Sequence, residues 1–377
     1  MALLMLRLGC TAFGGPAAHI ALLHDEVVKR RRWISEQEFL DLLGASGLIP
    51  GPTSTELCIH LGLTRAGVPG LWLAGICFIG PAALITLAIA WAYVELRQTP
   101  ALEGLLLGVK PAVAALILAA VLQLARTAMK SAPLVVLAGI VLALYLAGVS
   151  EIALLLGAGA AGILLARPWV QSPPPAALVW LGLPAGGTAG AGVAGLAAPG
   201  AWDLFLYFLK IGSALFGSGY VLFAFIRQGL VQDLGWLTER QLMDAVAAGQ
   251  FTPGPLFTTA TFVGYVVGRQ AGFGGWEGAL AATLGIFLPS FLAVWATHGV
   301  VRRLRSAPWS AGFMDGLNAG SVALMAGVLI QLAAAALQGW SAWAIFAVAA
   351  LAVFRFKVNS AWVIVAAAAL GLLLLRG

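Results

Sequence analysis

Charge is what this sequence has least of. Only 10% of its 377 residues are Asp, Glu, Lys or Arg, and 61% are hydrophobic, against roughly 25% charged in an ordinary soluble domain. Too few polar side chains remain to cover a water-exposed surface of this size, which excludes a soluble globular protein. Cysteine is scarce as well. Cys10, Cys58 and Cys77 sit in apolar stretches without metal-ligand spacing, which argues against a disulfide framework and a zinc site. The four histidines, His19, His24, His60 and His298, are just as dispersed. Paired carboxylates, a nucleophile elbow and a phosphate loop are all missing, so no enzyme class and no cofactor is indicated. The +6 balance is small and scattered, which speaks against nucleic acid as a partner.

What the chain does have is long uncharged runs: Ala66 to Val94, Ser131 to Ser150, Ile211 to Ile226, Gly278 to Val301, Gly316 to Phe354 and Val358 to Leu375. A helix needs about 20 such residues to cross about 30 Å of hydrocarbon. Composition therefore predicts an all-α polytopic membrane protein with the lipid bilayer as its solvent. Met1 to Leu23 reads as a first span that is retained. The 47 glycines and 18 prolines suit close packing and deliberate breaks between membrane helices.

The chain also repeats itself. Phe13-Gly14 recurs as Phe216-Gly217, Trp33 as Trp236, Glu36 as Glu239, Asp41 as Asp244, and Pro50-Gly51-Pro52 as Pro253-Gly254-Pro255, each at an offset of 203, as in 253 − 50. Arg7 meets Lys210 at the same offset. Beyond the prolines the register drifts by five, so Pro81 meets Pro289 and Lys110 meets Asn318. The predicted organisation is a first repeat over 1–167, a linker over 168–202 containing Pro173-Pro174-Pro175, and a second repeat over 203–377. Spans are expected over 1–30, 36–65, 68–95, 103–129, 132–148 and 151–167, then over 203–232, 238–268, 275–302, 310–337, 340–355 and 359–375. The Trp33 and Trp236 bends read as interfacial anchors.

Each Pro-Gly-Pro ends one helix and starts another, because proline lacks an amide donor and keeps its predecessor out of helical geometry. Pro52 and Pro255 suit the first position of the new helix. Two half-helices of about a dozen residues reach about 18 Å each, so the segment either re-enters or crosses as one broken helix. Re-entry makes the two repeats inverted, with about ten crossings besides the two hairpins, a common transporter plan. Counting loop Lys and Arg then gives 13 on one side (Lys29, Arg30, Arg31, Arg32, Arg65, Arg126, Lys130, Arg167, Arg302, Arg303, Arg305, Arg355, Lys357) and five on the other (Arg97, Arg227, Arg240, Arg269, Arg376). The rich side is cytoplasmic by the positive-inside rule, with both termini expected outside. A crossing segment gives 12 against 6, so the count barely separates the two.

The helix starts after Pro50-Gly51-Pro52 and Pro253-Gly254-Pro255 offer free amides and a positive dipole end, which is an anion site. Thr53, Ser54, Thr258 and Thr259 add hydroxyls. A proline kink used only for packing is the bland reading; two copies at equivalent positions favour binding. Phe13-Gly14-Gly15-Pro16 and Gly217-Ser218 are equally well read as packing positions or as exposed backbone. Lys110 lies deep in an apolar helix, where a charge faces a cavity or a partner, and Asn318 is its mate. Glu56 reads as the only acid well inside a span, serving either as a proton-coupling group or as a partner for a cation. Cations with so little acid opposite them point to an anionic substrate.

Phe13-Gly14-Gly15-Pro16-Ala17-Ala18-His19, the Val28 to Trp33 stretch and Pro50-Gly51-Pro52 with Gly62 closely resemble the first-domain signature of the chromate ion transporter (CHR) family. Phe216-Gly217, Trp236, Asp244 and Pro253-Gly254-Pro255 resemble its second domain. The resemblance implies a bacterial or archaeal inner-membrane protein that exports chromate, with its halves in opposite orientation and Lys110 among its functional positions. Chromate and sulfate are tetrahedral dianions of similar size, and nothing in the sequence chooses between chromate export, sulfate uptake or exchange, and an anion channel. The oligomeric state is equally open, a homodimer included.

Overall fold

The computed structural model describes residues 1–13, 15–96, 99–166, 199–216, 219–299 and 308–374, and they hold helices and turns with no strand among them. Gly14, Gly217, Ser218 and most of the expected linker lie outside the described residues.

The chain opens with α1 (Ala2–Thr11) and α2 (Gly15–His24), the latter running into a π-helical turn, Asp25–Arg30. Along one straight helix Arg7 and Glu26 would stand roughly 28 Å apart. Instead Arg7 bonds Glu26 at 2.6 Å, and Leu4, Met5 and Leu8 pack with Leu23 and Val27. Residues 1–30 are therefore not one span, because the extended backbone at Ala12 turns the chain back on itself. Nor does the start of the chain stand opposite 29–32, since the hairpin returns both to one end. The second half does the same over the expected span 203–232. There α8 (Ala201–Ala214) is followed by a 3-10 turn and α9 (Leu222–Ile226) with its π-helical extension, Arg227–Asp233, and Tyr207 Oη donates to the Phe225 carbonyl at 2.8 Å.

A second hairpin follows each of these. Reciprocal side-chain caps, Ser35 with Glu38 and Thr238 with Gln241, start α3 (Glu36–Ser46) and α10 (Glu239–Phe251). After the Pro-Gly-Pro turns come α4 (Thr53–Leu96) and α11 (Thr259–Ala271). Non-helical backbone at Ala66 and Gly67 (φ +62°) splits α4 into a short first arm and a long second one. The Arg65 guanidinium lies 4.4 Å from the centre of the Trp33 ring, so the first arm ends where its hairpin began. Tyr93 likewise touches both Asp244 on α10, at 2.9 Å, and the Phe262 ring on α11. Pro52 and Pro255, expected at the first helical position, stand one residue ahead of the helical turns they start.

The long apolar helices are the second arm of α4, α5 (Pro100–Ala128), α12 (Gly275–Thr297) and α13 (Pro308–Ala336). All four are long and apolar enough to cross a bilayer. Shorter apolar helices complete the bundle: α6 (Ala132–Leu146), α7 (Glu151–Leu165), α14 (Trp340–Phe356) and α15 (Ser360–Leu374). Their outer faces expose Trp276, Trp295, Trp340, Trp362 and many leucines, a surface suited to lipid. Inside, glycines bring backbones together, Gly108 against Ala367 and Gly162 against Gly312 and Gly316. Such packing is how helices associate where no hydrophobic force separates them from lipid.

The two Pro-Gly-Pro hairpins open in opposite directions. The α11 end, at Arg269, pairs with Glu95 at the finish of α4 (3.5 Å). His60, on the first arm of α4, faces His298 at the finish of α12.

Candidate functional site

At the centre the hairpin tips exchange hydrogen bonds between repeats. Gly51 N–H donates to the Leu215 carbonyl at 2.7 Å, and Gly254 N–H donates to the Ala12 carbonyl at 2.9 Å. Both donors and acceptors are repeat mates, since 254 − 51 and 215 − 12 each equal 203. Glycine is required at both donors. Gly51 has φ +137° and Gly254 φ +88°, which cost other residues about 1–3 kcal/mol. A side chain at Gly51 would also strike Ser290 and Glu56, and one at Gly254 would strike Ala82. His19 fastens the crossing, with Nε2 3.0 Å from the Ala12 carbonyl and Nδ1 3.3 Å from Ser54 Oγ.

Beyond each turn lie helix starts whose first amides, those of Thr53 and Ser54 and of their mates Leu256 and Phe257, find no carbonyl among the described residues. Pro50, Gly51, Pro52 and Ser54 are buried, as are Pro253, Gly254, Pro255 and Thr258, while Thr53 is half-buried. The second turn carries a hydroxyl cluster: Thr86 Oγ1 lies 3.3 Å from both Thr252 and Thr258. Those two hydroxyls already donate to the carbonyls of Ala248 and Pro255. Thr259 donates to Leu256. Rotation is needed before any of them reaches a ligand. The first turn instead carries the Glu56 carboxyl, wholly buried in the opening turn of its own helix beside Gly51 and Ser290. Ser290 Oγ also lies 3.5 Å from the Pro50 carbonyl.

Lys110 stands elsewhere. On α5 its ammonium lies 3.4 Å from Asp244 of α10, with side chains 20% and 0% exposed respectively, and Tyr93 Oη donates to the other Asp244 oxygen. Lys110 and Arg240 share a cavity of about 370 Å³ with Gln338 and Ser341. Asp244 precedes Pro253 by nine residues, roughly 13 Å of helix.

The chromate transporter family model matches residues 1–163 and 202–372. The chain belongs to the chromate transporter family. It is similar to a chromate transport protein of Pseudomonas aeruginosa, 35% identical over 342 residues that cover 87% of this chain and 79% of that one. A chromate transport protein of Cupriavidus metallidurans is 31% identical over 338 residues, covering 87% and 80%. A probable chromate transport protein of Synechococcus elongatus is 29% identical over 344 residues, covering 87% and 82%. No solved structure matches the chain. Family and apolar helices together make it a multi-pass membrane protein.

In this chromate transporter family member the expected site residues separate. The turn residues 50–54 and 253–258 each meet a first-hairpin tip of the other repeat. Phe13 is half-buried at such a tip, and Gly15 and Pro16 open α2. Gly14, Gly217 and Ser218 lie outside the described residues. Lys110 has both a cavity and a partner, and Glu56 is not the only acid at depth, because Asp244 is wholly buried against Lys110. That pairing removes much of the cation surplus that pointed to an anion. Asn318 is half-buried on α13. Sequence reasoning also missed Thr86, Tyr93 and Ser290, and named His19 without giving it a role. For Asp244 the signal was present, since a lysine at such depth calls for an acid and Asp244 is the mate of Asp41.

Proposed function

We propose that this protein is a secondary transporter that exports chromate across the cell's inner membrane, binding the dianion between the two Pro-Gly-Pro turns. The observation that carries the reading is the reciprocal exchange of Gly51 with Leu215 and Gly254 with Ala12. It sets two helix starts with unbonded amides inside a chain whose relatives are named chromate transport proteins. An unpaired dianion in a dry site costs tens of kcal/mol on Born reasoning. Each helix start supplies roughly half a positive charge, so both turns and the half-buried Thr53 hydroxyl have to converge on it.

Glu56 shares the first helix start, and two negative charges there oppose each other. Chromate therefore binds with Glu56 neutral, so that one proton is carried together with the dianion. A dianion with one proton still moves one net negative charge. A potential negative inside favours its exit by about 2.3 kcal/mol per 100 mV. The apolar described helices supply four crossings in each repeat, the repeats are inverted, and the turns re-enter from opposite faces. Both first hairpins return to the face they left, so among the described residues the loop cations divide nine (Lys29, Arg30, Arg31, Arg32, Arg65, Arg126, Lys130, Arg355, Lys357) to three (Arg227, Arg240, Arg269). The 29–32 cluster, and with it the start of α1, then faces the cytoplasm. Ala166 and Gly200 fall on opposite faces.

Flux into proteoliposomes with defined anions and an imposed proton gradient tests this. Saturable chromate flux that responds to the gradient, with chromate competing better than sulfate, is expected. A sulfate preference would make the protein a sulfate transporter. Flux that only follows the anion gradient would make it a channel.

A further inference from the structure

Three ionisable side chains stand in line between the central crossing and the end at which α12 finishes. Glu56 opens the first arm of α4 beside Ser290, His60 follows one helical turn later, and His298 caps α12. Side chains four apart on a helix are neighbours, with β-carbons about 5–6 Å apart. The His60 and His298 ring centroids are 5.9 Å apart, their planes tilted by 32°. Glu56 and His60 are both 0% exposed, whereas His298 is exposed. Neither His60 nitrogen has a hydrogen-bond partner among the described residues, and the Glu56 carboxyl has the Ser290 hydroxyl beside it.

Packing alone does not explain them. A buried polar atom without a partner is costly, and the second repeat fills the same positions with Thr259 and Val263, since 263 − 60 is again 203. Both mates are fully buried without introducing an ionisable group. The first repeat therefore carries two buried ionisable groups that the shared architecture does not require, Glu56 beside Gly51 and Ser290 and His60 facing the exposed ring of His298.

We propose that His60 and His298 carry protons between the cytoplasmic solution and Glu56. The inference rests on the reading of Glu56 as the group that takes up a proton with chromate. Water protonates one nitrogen of His298, whose other nitrogen releases its proton toward His60. His60 accepts on one nitrogen and gives up the proton on its other to a Glu56 oxygen, directly or through one water. Each ring ends neutral in its other tautomer, and one proton has moved; the reverse sequence returns it. From α12 the groups facing this line are Ser290 and His298. From α2, His19 is held by Ala12 and Ser54. On α4 itself Arg65 is stacked over Trp33, and Cys58 is buried in the cluster that packs α1 and α2 against α4.

The test compares proton-gradient-driven chromate flux with chromate-for-chromate exchange in the same proteoliposomes, for wild type, Glu56→Gln, His60→Gln and His298→Gln. Both histidine variants are expected to lower the ratio of driven flux to exchange about a hundredfold or more, the scale on which a positioned acid–base group acts. Imidazole on the cytoplasmic side is expected to restore the ratio in His298→Gln, which a purely structural role would not allow. If His60→Gln fails to fold, the exposed His298→Gln carries the comparison. A wild-type ratio in the folded histidine variants, with Glu56→Gln uncoupled, overturns the relay alone. Retained coupling in Glu56→Gln overturns the reading of Glu56 and the relay with it.

Discussion

Lys110 shows what a single residue's depth does and does not reveal. Its position in an apolar run demanded a partner or a cavity, and the structure supplies both, in Asp244 and in the space shared with Arg240. The partner stayed hidden because it comes from the other repeat and is brought alongside by a fold that residue spacing does not encode. Removing the ammonium leaves Asp244 buried without its cation, a change that costs about 3–5 kcal/mol for a buried pair. Lys110→Met should therefore lower the unfolding midpoint of the purified protein in detergent, and adding Asp244→Asn should recover most of the loss. If the single variant is as stable as wild type, the pair is not structural. Lost transport in a Lys110 variant has to be read against its stability.

Among the elements, the Pro-Gly-Pro interruptions were legible from chemistry alone, because proline and a positive-φ glycine leave few alternatives to a turn. The first hairpins were not. Residues 1–30 are long enough to span, and it is the contact of Arg7 with Glu26 and the packing of Leu4, Met5 and Leu8 against Leu23 and Val27 that show they turn back. The sequence clue was the pair of opposite charges at 7 and 26 on either side of Gly14-Gly15. Glu26 sits at the mouth of that hairpin, outside the crossing helices, and accepts from Arg7, Arg30 and Arg31. Burial pushes its carboxyl up, but hydrogen bonds from Arg31 and Arg7 and the charges of Arg7 and Arg30 outweigh this and hold it below 4.5. Glu26 thus keeps its charge to lower pH in the fold than in the unfolded chain. The stability it contributes is fully present above 4.5 and is lost as pH falls through the depressed folded value. Thermal stability should drop across that acid window in wild type and much less so in Glu26→Gln. Equal acid sensitivity in both would remove Glu26 from the hairpin's support.

For the whole molecule, the constant offset of 203 is a fact of the sequence, and the inverted arrangement is the proposal built on it. What the offset does not carry is the exchange of hydrogen bonds between repeats, which depends on how two hairpins meet. Ser35 and Thr238 are exposed repeat mates at the openings of the two Pro-Gly-Pro hairpins. In a background without Cys10, Cys58 and Cys77, Ser35→Cys should react with a membrane-impermeant maleimide only from the cytoplasmic side and Thr238→Cys only from the other. Labelling from one common side would contradict the inversion.

The central claim is that the dianion occupies the crossing of the two turns, and anomalous scattering at the chromium edge from crystals grown with chromate tests it most directly. The account predicts a chromium peak whose oxyanion oxygens lie within hydrogen-bond reach of the amides of Thr53 and Ser54 and of Leu256 and Phe257. A peak confined to the cavity between Lys110 and Arg240, with the turns empty, would contradict it.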